Sequence, residues 1–430
     1  MILQNQYLQK HLLLSHLSKF STLNKKPPVL QGIRVLDLSR VLVGPYCSQN
    51  LSDLGAEVLK VESFEGDETR KWGPPFNNQS STYYLAINRN KKSIAIDLKT
   101  TEGLQTIYDL VKLSDVFLQN FSSRVPKSLK IDYESIRAQN PRIVYGSVTG
   151  FGDIGPLSKS PGFDAVIQAY SGLMHVTGKP DGDPTRIGVP ITDILAGQVL
   201  TNGILAGLYH RERTGEGIMV KTSLLESALS ALVNVGSAYL NGGISPKRIG
   251  NHHSSITPYG TYYAKDNKLI SIACGSQKQF EGLMKILGLE ITKEFATNND
   301  RVINRTKFDE VVNGALKNWD VTELLKRLGA ENIPCQPLND IPTVMESPQI
   351  KALDIVKNVK DVKNHKPLRL VGSPLTFEGT EKVKMEEPPI LNEHAMYILK
   401  DVLKYDDTKI QGLIKKKAIL DPKIGASAKL

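Results

Sequence analysis

The chain has 430 residues, enough for two or three domains, with 40% apolar and 23% charged side chains, the balance of a folded globular protein. Three cysteines (Cys47, Cys274, Cys335) without a CxxC pair exclude a disulfide framework, and the histidines show no HExxH or HxH spacing that would point to a metal. The formal charge of +10 falls to +6 without four lysines near the start, too little for a nucleic-acid partner but favourable for a polyanionic small molecule.

Residues 1–36 contain no Asp or Glu, where average composition would place roughly four. The stretch MILQNQYLQKHLLLSHLSKFSTLNKKPP carries Lys10, Lys19, Lys25, Lys26, three serines and many leucines, with Leu3, Tyr7, Leu14 and Leu17 able to share a helical face. Residues 1–28 read as a mitochondrial presequence, although Arg is missing from it; an ordinary amphipathic helix is the alternative. With no run of about 18 apolar residues, no membrane span is expected.

From Ile33 onward strands alternate with helices. Strands are expected at Ile33–Ser39, Ala56–Glu62, Lys92–Leu98, Ser114–Phe121 and Arg142–Val148, and helices at Gly44–Leu54, Thr101–Leu113 and Tyr133–Asn140. This βαβ spacing predicts a doubly wound, mostly parallel sheet with helices on both faces, a Rossmann-like α/β domain. A long helix, Ile194–Arg213, and a strand, Gly217–Ser223, come next. Leu224–Gly242 reads as one helix, apolar all round, and so expected to be buried, against a second subunit if not within the chain. Thr257–Gly275 alternates and turns at Lys265–Asn267 as a hairpin, before helices at Gln277–Leu287, Phe308–Trp319 and Val321–Leu328. The expected division is a large domain over 29–224, a smaller α+β domain over 225–350, and a return to the large domain over 351–430, closed by helices Glu393–Lys404 and Thr408–Lys417.

Asp193 stands where the Gly/Pro-rich run ending in GVPITDILAG gives way to an apolar helical pattern. A carboxylate there is either an N-cap or a nucleophile kept ionised by the helix dipole, and spacing does not separate the two. In an open parallel sheet, ligands gather at the C-terminal strand ends. Arg40, Val41 and Leu42 follow the first strand, Asn120 and Phe121 the fourth, and Gly150, Phe151 and Gly152 the fifth. Asn88–Lys92 is a basic turn read either as a phosphate contact or as a solvated loop. Gly150–Gly155 matches GxGxxG, the basis of an alternative reading as an NAD(P)-dependent oxidoreductase. Pro156 and Pro161, however, prevent a helix from opening on the third glycine. Cys47, with no His nearby, reads as core packing.

The motifs VLDLSRVLVGPYCSQNLSDLGAEVLKVE, NRNKKSIAIDLK, LQNF, NPRIVYGSVTGFGDIGP and GFDAVIQAYSGLMHVTG resemble the family III CoA-transferases, over about Gly32 to Asp421. The resemblance implies a large doubly wound domain with a small domain, two chains interlinked as a homodimer, and coenzyme A as a substrate with no permanently bound cofactor. It maps the family's covalent nucleophile onto Asp193. It implies a CoA-binding surface from Arg40, Val41, Leu42, Asn88, Lys91, Asn120, Phe121, Thr149, Gly150, Phe151 and Gly152, and oxyanion donors from Gly275 and Ser276. Some transferases carry Lys where Thr149 stands and Arg where Ser128 stands. The segments GDPTRIGVPITD, NHHSSITPY and LKYDDTKIQGLI are most similar to members that use succinyl-CoA and a small dicarboxylic acid, such as glutarate or 3-hydroxy-3-methylglutarate, in the mitochondrial matrix. Arg186, His253 and Ser254 are candidates for the distal carboxylate of such an acid. Racemases of the same fold, the other alternative, carry His and Glu where Phe163 and Gln277 stand. Neither residue here takes up an α-proton, which disfavours racemisation. No nucleic acid or membrane partner is expected.

Overall fold

The computed structural model describes residues 25–77, 80–360 and 367–423, so most of the expected leader lies outside the described residues. The chain divides into two compact units. The first comprises the described residues of Met1–Ile167, Ile191–Ala228 and Asp354–Leu430, and the second Gln168–Pro190 and Leu229–Leu353. This differs from the expected division at Gln168–Pro190, which belongs with the second unit although it ends three residues before Asp193.

The first unit is built on a six-stranded sheet: β1 (Arg34–Asp37), β2 (Glu57–Glu62), β3 (Lys91–Ala95), β4 (Val116–Gln119), β5 (Val144–Thr149) and β6 (Met219–Ser223). The spatial order is β3-β2-β1-β4-β5-β6, and every pairing is parallel. Strands buried on both faces carry near-continuous apolar runs, as in RVLD and VFLQ. The order reverses between β1 and β4, the switch point where open α/β sheets leave a crevice.

Five helices matter for the site: α1 (Val43–Asp53), α2 (Thr82–Ile87), α3 (Thr101–Val111), α4 (Asp164–Tyr170, of which Asp164–Ile167 belongs to this unit) and α5 (Ile191–Thr214). On one face of the sheet, Leu36, Leu59, Ile94, Phe117 and Tyr145 pack with Ile107 and Leu110 of α3 and with Ile398, Leu399 and Ile410 from the C-terminal return. On the other face α5 lies against β5, β6 and α1. By length and composition alone α5 is apolar enough to cross a membrane; in the fold it is a sheet-packed helix with Leu200, Ile204 and Leu208 buried. It starts three residues earlier than its apolar pattern, because Ile191 and Thr192 already belong to its first turn.

Two expectations fail in particular places. Leu224–Gly242 is two helices, α6 (Leu224–Ser230) and α7 (Val233–Gly242), broken where Val233 takes φ +35°. Within the chain α7 is not buried: Val233, Tyr239 and Leu240 are 73%, 61% and 79% exposed. The expected helix Glu393–Lys404 is a π-helical segment over Tyr397–Val402.

The second unit contains the expected hairpin, β7 (Tyr259–Tyr263) with β8 (Leu269–Ala273), turning over Lys265–Asn267, and adds β9 (Cys335–Pro337) on the far side of β8. Helices α8 (Gln277–Leu287), α9 (Arg305–Leu316) and α10 (Val321–Ala330) cover it, with Tyr262, Ile270, Ile272, Phe280, Phe308 and Leu324 in the core. A further antiparallel pair, β10 (Val356–Lys360) and β11 (Pro367–Val371), falls where no strand was expected.

Gly197 sets how closely α5 approaches α1. A Cβ there would lie 2.9 Å from the Val43 carbonyl oxygen and 3.0 Å from Tyr46 Cδ1. Gly197→Ala should therefore destabilise the protein by about 1–3 kcal/mol, despite alanine's better helix propensity. A chemical-denaturation midpoint at or above that of the wild type would refute the packing argument.

Candidate functional site

Backbone contact between two glycines begins the site. A Cβ on Gly150, just past β5, would lie 2.6 Å from Gly162 Cα, so the loop after β5 presses directly on the segment that leads into α4. Gly152 and Gly155 take φ +92° and +86°, and the chain from 150 to 160 runs in turns and bends. No helix opens on the GxGxxG match, so its glycines serve turning and close approach rather than a dinucleotide-binding helix.

That contact brings Asp164, at the start of α4, to the start of α5. Both the Thr192 N–H and the Thr192 hydroxyl donate to Asp164 Oδ1 at 2.9 Å. The cap of α5 thus comes from a carboxylate 28 residues away, and Asp193 lies inside the first turn rather than at the cap. Asp193 is half-buried, and among the described residues nothing donates a hydrogen bond to its carboxylate. Burial, then the negative charge of Asp164, pushes its carboxyl up to about 7. Burial and the Asp164 charge thus act against the ionisation that a helix N-terminus favours. Tyr83 on α2 belongs to the same group. Burial, followed by the charges of Asp193, Asp164 and Asp67, pushes its hydroxyl up to about 12.

At the switch point, Asn120 after β4 holds the backbone of Arg40 after β1 from both sides. Arg40 N–H donates to Asn120 Oδ1 at 3.0 Å, and Asn120 Nδ2 donates to the Arg40 carbonyl at 2.7 Å. The Arg40 guanidinium lies over the Phe121 ring, 5.7 Å from its centroid, and pairs with Glu68 at 2.7 Å. Val41 and Leu42 continue this loop into α1. Thr149 closes β5 beside Ser223 of β6, ahead of Gly150, Phe151 and Gly152. Arg40, Asn120 and Thr149 thus share the C-terminal edge of the sheet.

Asn88, which ends α2, and Lys91, the first residue of β3, are buried, with 0% and 2% exposure. Lys91 Nζ donates to the Pro45 carbonyl at 2.8 Å and to Asn88 Oδ1 at 3.0 Å, and lies 3.6 Å from Asp37. Burial pulls it down to about 7 against the opposing pull of Asp37. Arg89 is buried against Asp53. Asn88, Arg89 and Lys91 of the NRNKK run are thus partnered inside the fold, while Lys92, with its side chain 31% exposed, pairs with Glu57. Cys47 is fully buried and its thiol is pushed up to about 12, chiefly by burial, as suits a packing residue.

The remaining candidates lie in the second unit. The Gly275 N–H already donates to Gln279 Oε1 at 3.0 Å, and Ser276 caps α8 through its hydroxyl, so the expected oxyanion donor is occupied on the Gly275 side. His253 accepts from Ser255 N–H at 3.0 Å and tilts against Tyr259, while Ser254 and Arg186 are exposed. Among the described residues no group of three His, Cys, Asp or Glu side chains gathers to hold a metal. Asp164, Tyr83 and Asp67 went unnoticed in the sequence; Asp164 sits in the GFDAVIQAY motif, yet nothing in its spacing ties it to Asp193.

The family model described as CoA-transferase family III matches residues 30–395. A mouse (Mus musculus) protein named succinyl-CoA:glutarate CoA-transferase is 40% identical over 392 residues, covering 90% of this chain and 89% of its own. A succinate–glutarate CoA-transferase of Agrobacterium fabrum is 38% identical over 390 residues, 88% of this chain and 96% of its own. Among solved structures, a CAIB/BAIF family protein from Brucella suis superposes with a TM-score of 0.78 at 37% identity, over 88% of this chain and all of that one. With the parallel sheet and the half-buried aspartate at its edge, these likenesses place the chain in CoA-transferase family III.

Proposed function

We propose that this enzyme moves CoA from succinyl-CoA to a small dicarboxylic acid, glutarate first and 3-hydroxy-3-methylglutarate second, with Asp193 as the covalent nucleophile. The observation that supports this most is the Asp193 carboxylate itself: half-buried, without a hydrogen-bond donor among the described residues, and adjacent to a second carboxylate. Partial burial raises the reactivity of such a carboxylate over a fully solvated aspartate, because less of its charge is dispersed into solvent. The names of the relatives supply the substrate class.

The chemistry runs through four acyl transfers. Asp193 attacks the succinyl thioester carbonyl, the C–S bond breaks, and CoA thiolate leaves a succinyl–aspartyl anhydride. The thiolate attacks the Asp193 carbonyl carbon and expels succinate, giving an aspartyl-CoA thioester. A carboxylate of glutarate attacks that thioester and again frees the thiolate, leaving a glutaryl–aspartyl anhydride. The thiolate takes the glutaryl group and restores Asp193. Every activated acyl bond is exchanged for another, so no separate energy source enters. The Arg40–Leu42 loop, Asn120, Phe121 and the Thr149–Gly152 segment are proposed to receive CoA; Asn88 and Lys91 are withdrawn from that surface because they are buried. Arg186, His253 and Ser254 are proposed for the distal carboxylate of the acid.

Asp193→Asn should abolish transfer while the protein stays folded, and hydroxylamine with succinyl-CoA should inactivate the wild type by trapping Asp193; retained turnover in the variant removes the nucleophile. Because the Asp193 pKa lies at about 7, kcat should rise with pH through that value. Stability should move the other way. A carboxyl raised on folding binds its proton more tightly in the folded state, so its ionisation destabilises the fold increasingly from about pH 4 to pH 7. Asp193→Asn should therefore be more stable than wild type at pH 8, by about 1–2 kcal/mol after solvent screening, and equally stable at pH 3, as read by denaturation. A flat kcat profile between pH 6 and 8 would contradict the raised pKa.

We also propose a homodimer, interlinked as the family resemblance implies, in which the exposed apolar residues of α7 meet a second copy. Light scattering at low micromolar concentration should give about twice the 47.5 kDa chain mass; a folded particle of single mass would overturn the dimer.

The acid-free start of the chain supports import into mitochondria. A fluorescent protein carrying residues 1–36 should reach the matrix, and a cytosolic fusion would reject that location.

A further inference from the structure

The loop from β1 to α1 turns through Val41, whose φ is +68°. A β-branched residue rarely adopts this left-handed conformation, since its side chain crowds its own backbone. Such strain persists only where surrounding groups over-determine it. At Val41 those groups come from β2 and the turn that follows it. Lys60 Nζ, fully buried, donates to Asp67 Oδ2 at 2.9 Å and to the Ser39 carbonyl at 3.1 Å. The Asp67 carboxylate, 3% exposed, also accepts from Thr69 N–H at 3.0 Å and Thr69 Oγ1 at 2.7 Å. Val41 N–H donates to both Asp67 oxygens at 3.3 Å. With Asn120 gripping Arg40, the three consecutive residues Ser39, Arg40 and Val41 are held by side chains from β2, the turn after it and the segment after β4.

Lys60 and Asp67 are too buried to meet a substrate, and a buried ion pair adds little stability over well-packed apolar residues. What this pair supplies is geometry. We infer that the Lys60–Asp67 pair is a positioning device, which holds Val41 left-handed and so sets the shape of the Arg40–Leu42 loop for the CoA donor. This rests on the proposed placement of that loop against CoA. Asp67 is a positioning residue, not a catalytic one.

The test is a double-mutant cycle between Asp67→Asn and Val41→Gly, read by kinetics and by melting. Asp67→Asn should raise KM for succinyl-CoA about tenfold while KM for glutarate and kcat change less than about twofold. On a Val41→Gly background the same change should raise KM less than about threefold, because glycine takes φ +68° without being held there. The melting-temperature loss from Asp67→Asn should shrink in parallel. Should Asp67→Asn fail to fold, Lys60→Met/Asp67→Leu keeps the test open: it leaves no unpaired buried charge, and it should still raise KM for succinyl-CoA. Equal effects of Asp67→Asn on both backgrounds, in KM and in melting, would overturn the device. Arg40→Ala and Leu42→Ala separate the two layers. If they raise KM for succinyl-CoA and Asp67→Asn does not, the inference alone falls. If neither they nor Asp67→Asn move that KM, the placement of the loop against CoA has failed, and the positioning role falls with it.

Discussion

Everything at the site depends on the six strands of the sheet running in one direction. Parallel pairing sends every strand's carboxyl end to the same edge, and the reversal of order between β1 and β4 opens that edge at one place. Asn120 spans the opening, the loop after β5 lies beside it, and the contact of Gly150 with Gly162 carries Asp164 to the first turn of α5. Helix α5 can lie where it does because Gly197 lets it approach α1 closely.

The electrostatics of that edge oppose two tendencies. A helix N-terminus favours an anion, and α5 receives one from Asp164, which accepts both hydrogens of Thr192. Asp193 then has to ionise beside a carboxylate already in place, in a half-buried position with no donor among the described residues. A structural cap and a reactive carboxylate on the same turn divide the work: Asp164 stabilises the helix start, and its charge raises the proton affinity of its neighbour.

The basic residues tell a similar story. In a chain of net charge +10, several lysines and arginines are committed to the interior. Lys60 meets Asp67, Lys91 faces Asp37, Arg70 pairs with Glu62 and Arg89 with Asp53. Unpaired, each would be expensive to bury; paired, they tie the loops at the sheet to the strands beneath them. Because each of these cations is matched by a carboxylate, the four pairs leave the net charge of the rest of the chain unchanged.

The sequence by itself determined the order of strands and helices in the first unit, the hairpin of the second, and the family, because local periodicity and contiguous motifs carry that information along the chain. It also marked Asp193, whose neighbours in sequence form a recognisable turn into a helix. It did not reveal that Asp164 caps that helix, since the partners lie 28 residues apart and meet only through the contact of Gly150 with Gly162. Nor did it show that Lys91 and Asn88 are interior: a basic turn looks the same whether its charges face water or a buried carboxylate. The break between α6 and α7 carries no glycine or proline to announce it, and the strained φ of Val41 leaves no mark in residue type. Burial, long-range pairing and backbone strain are properties of which distant segments touch, and only the tertiary structure decides those.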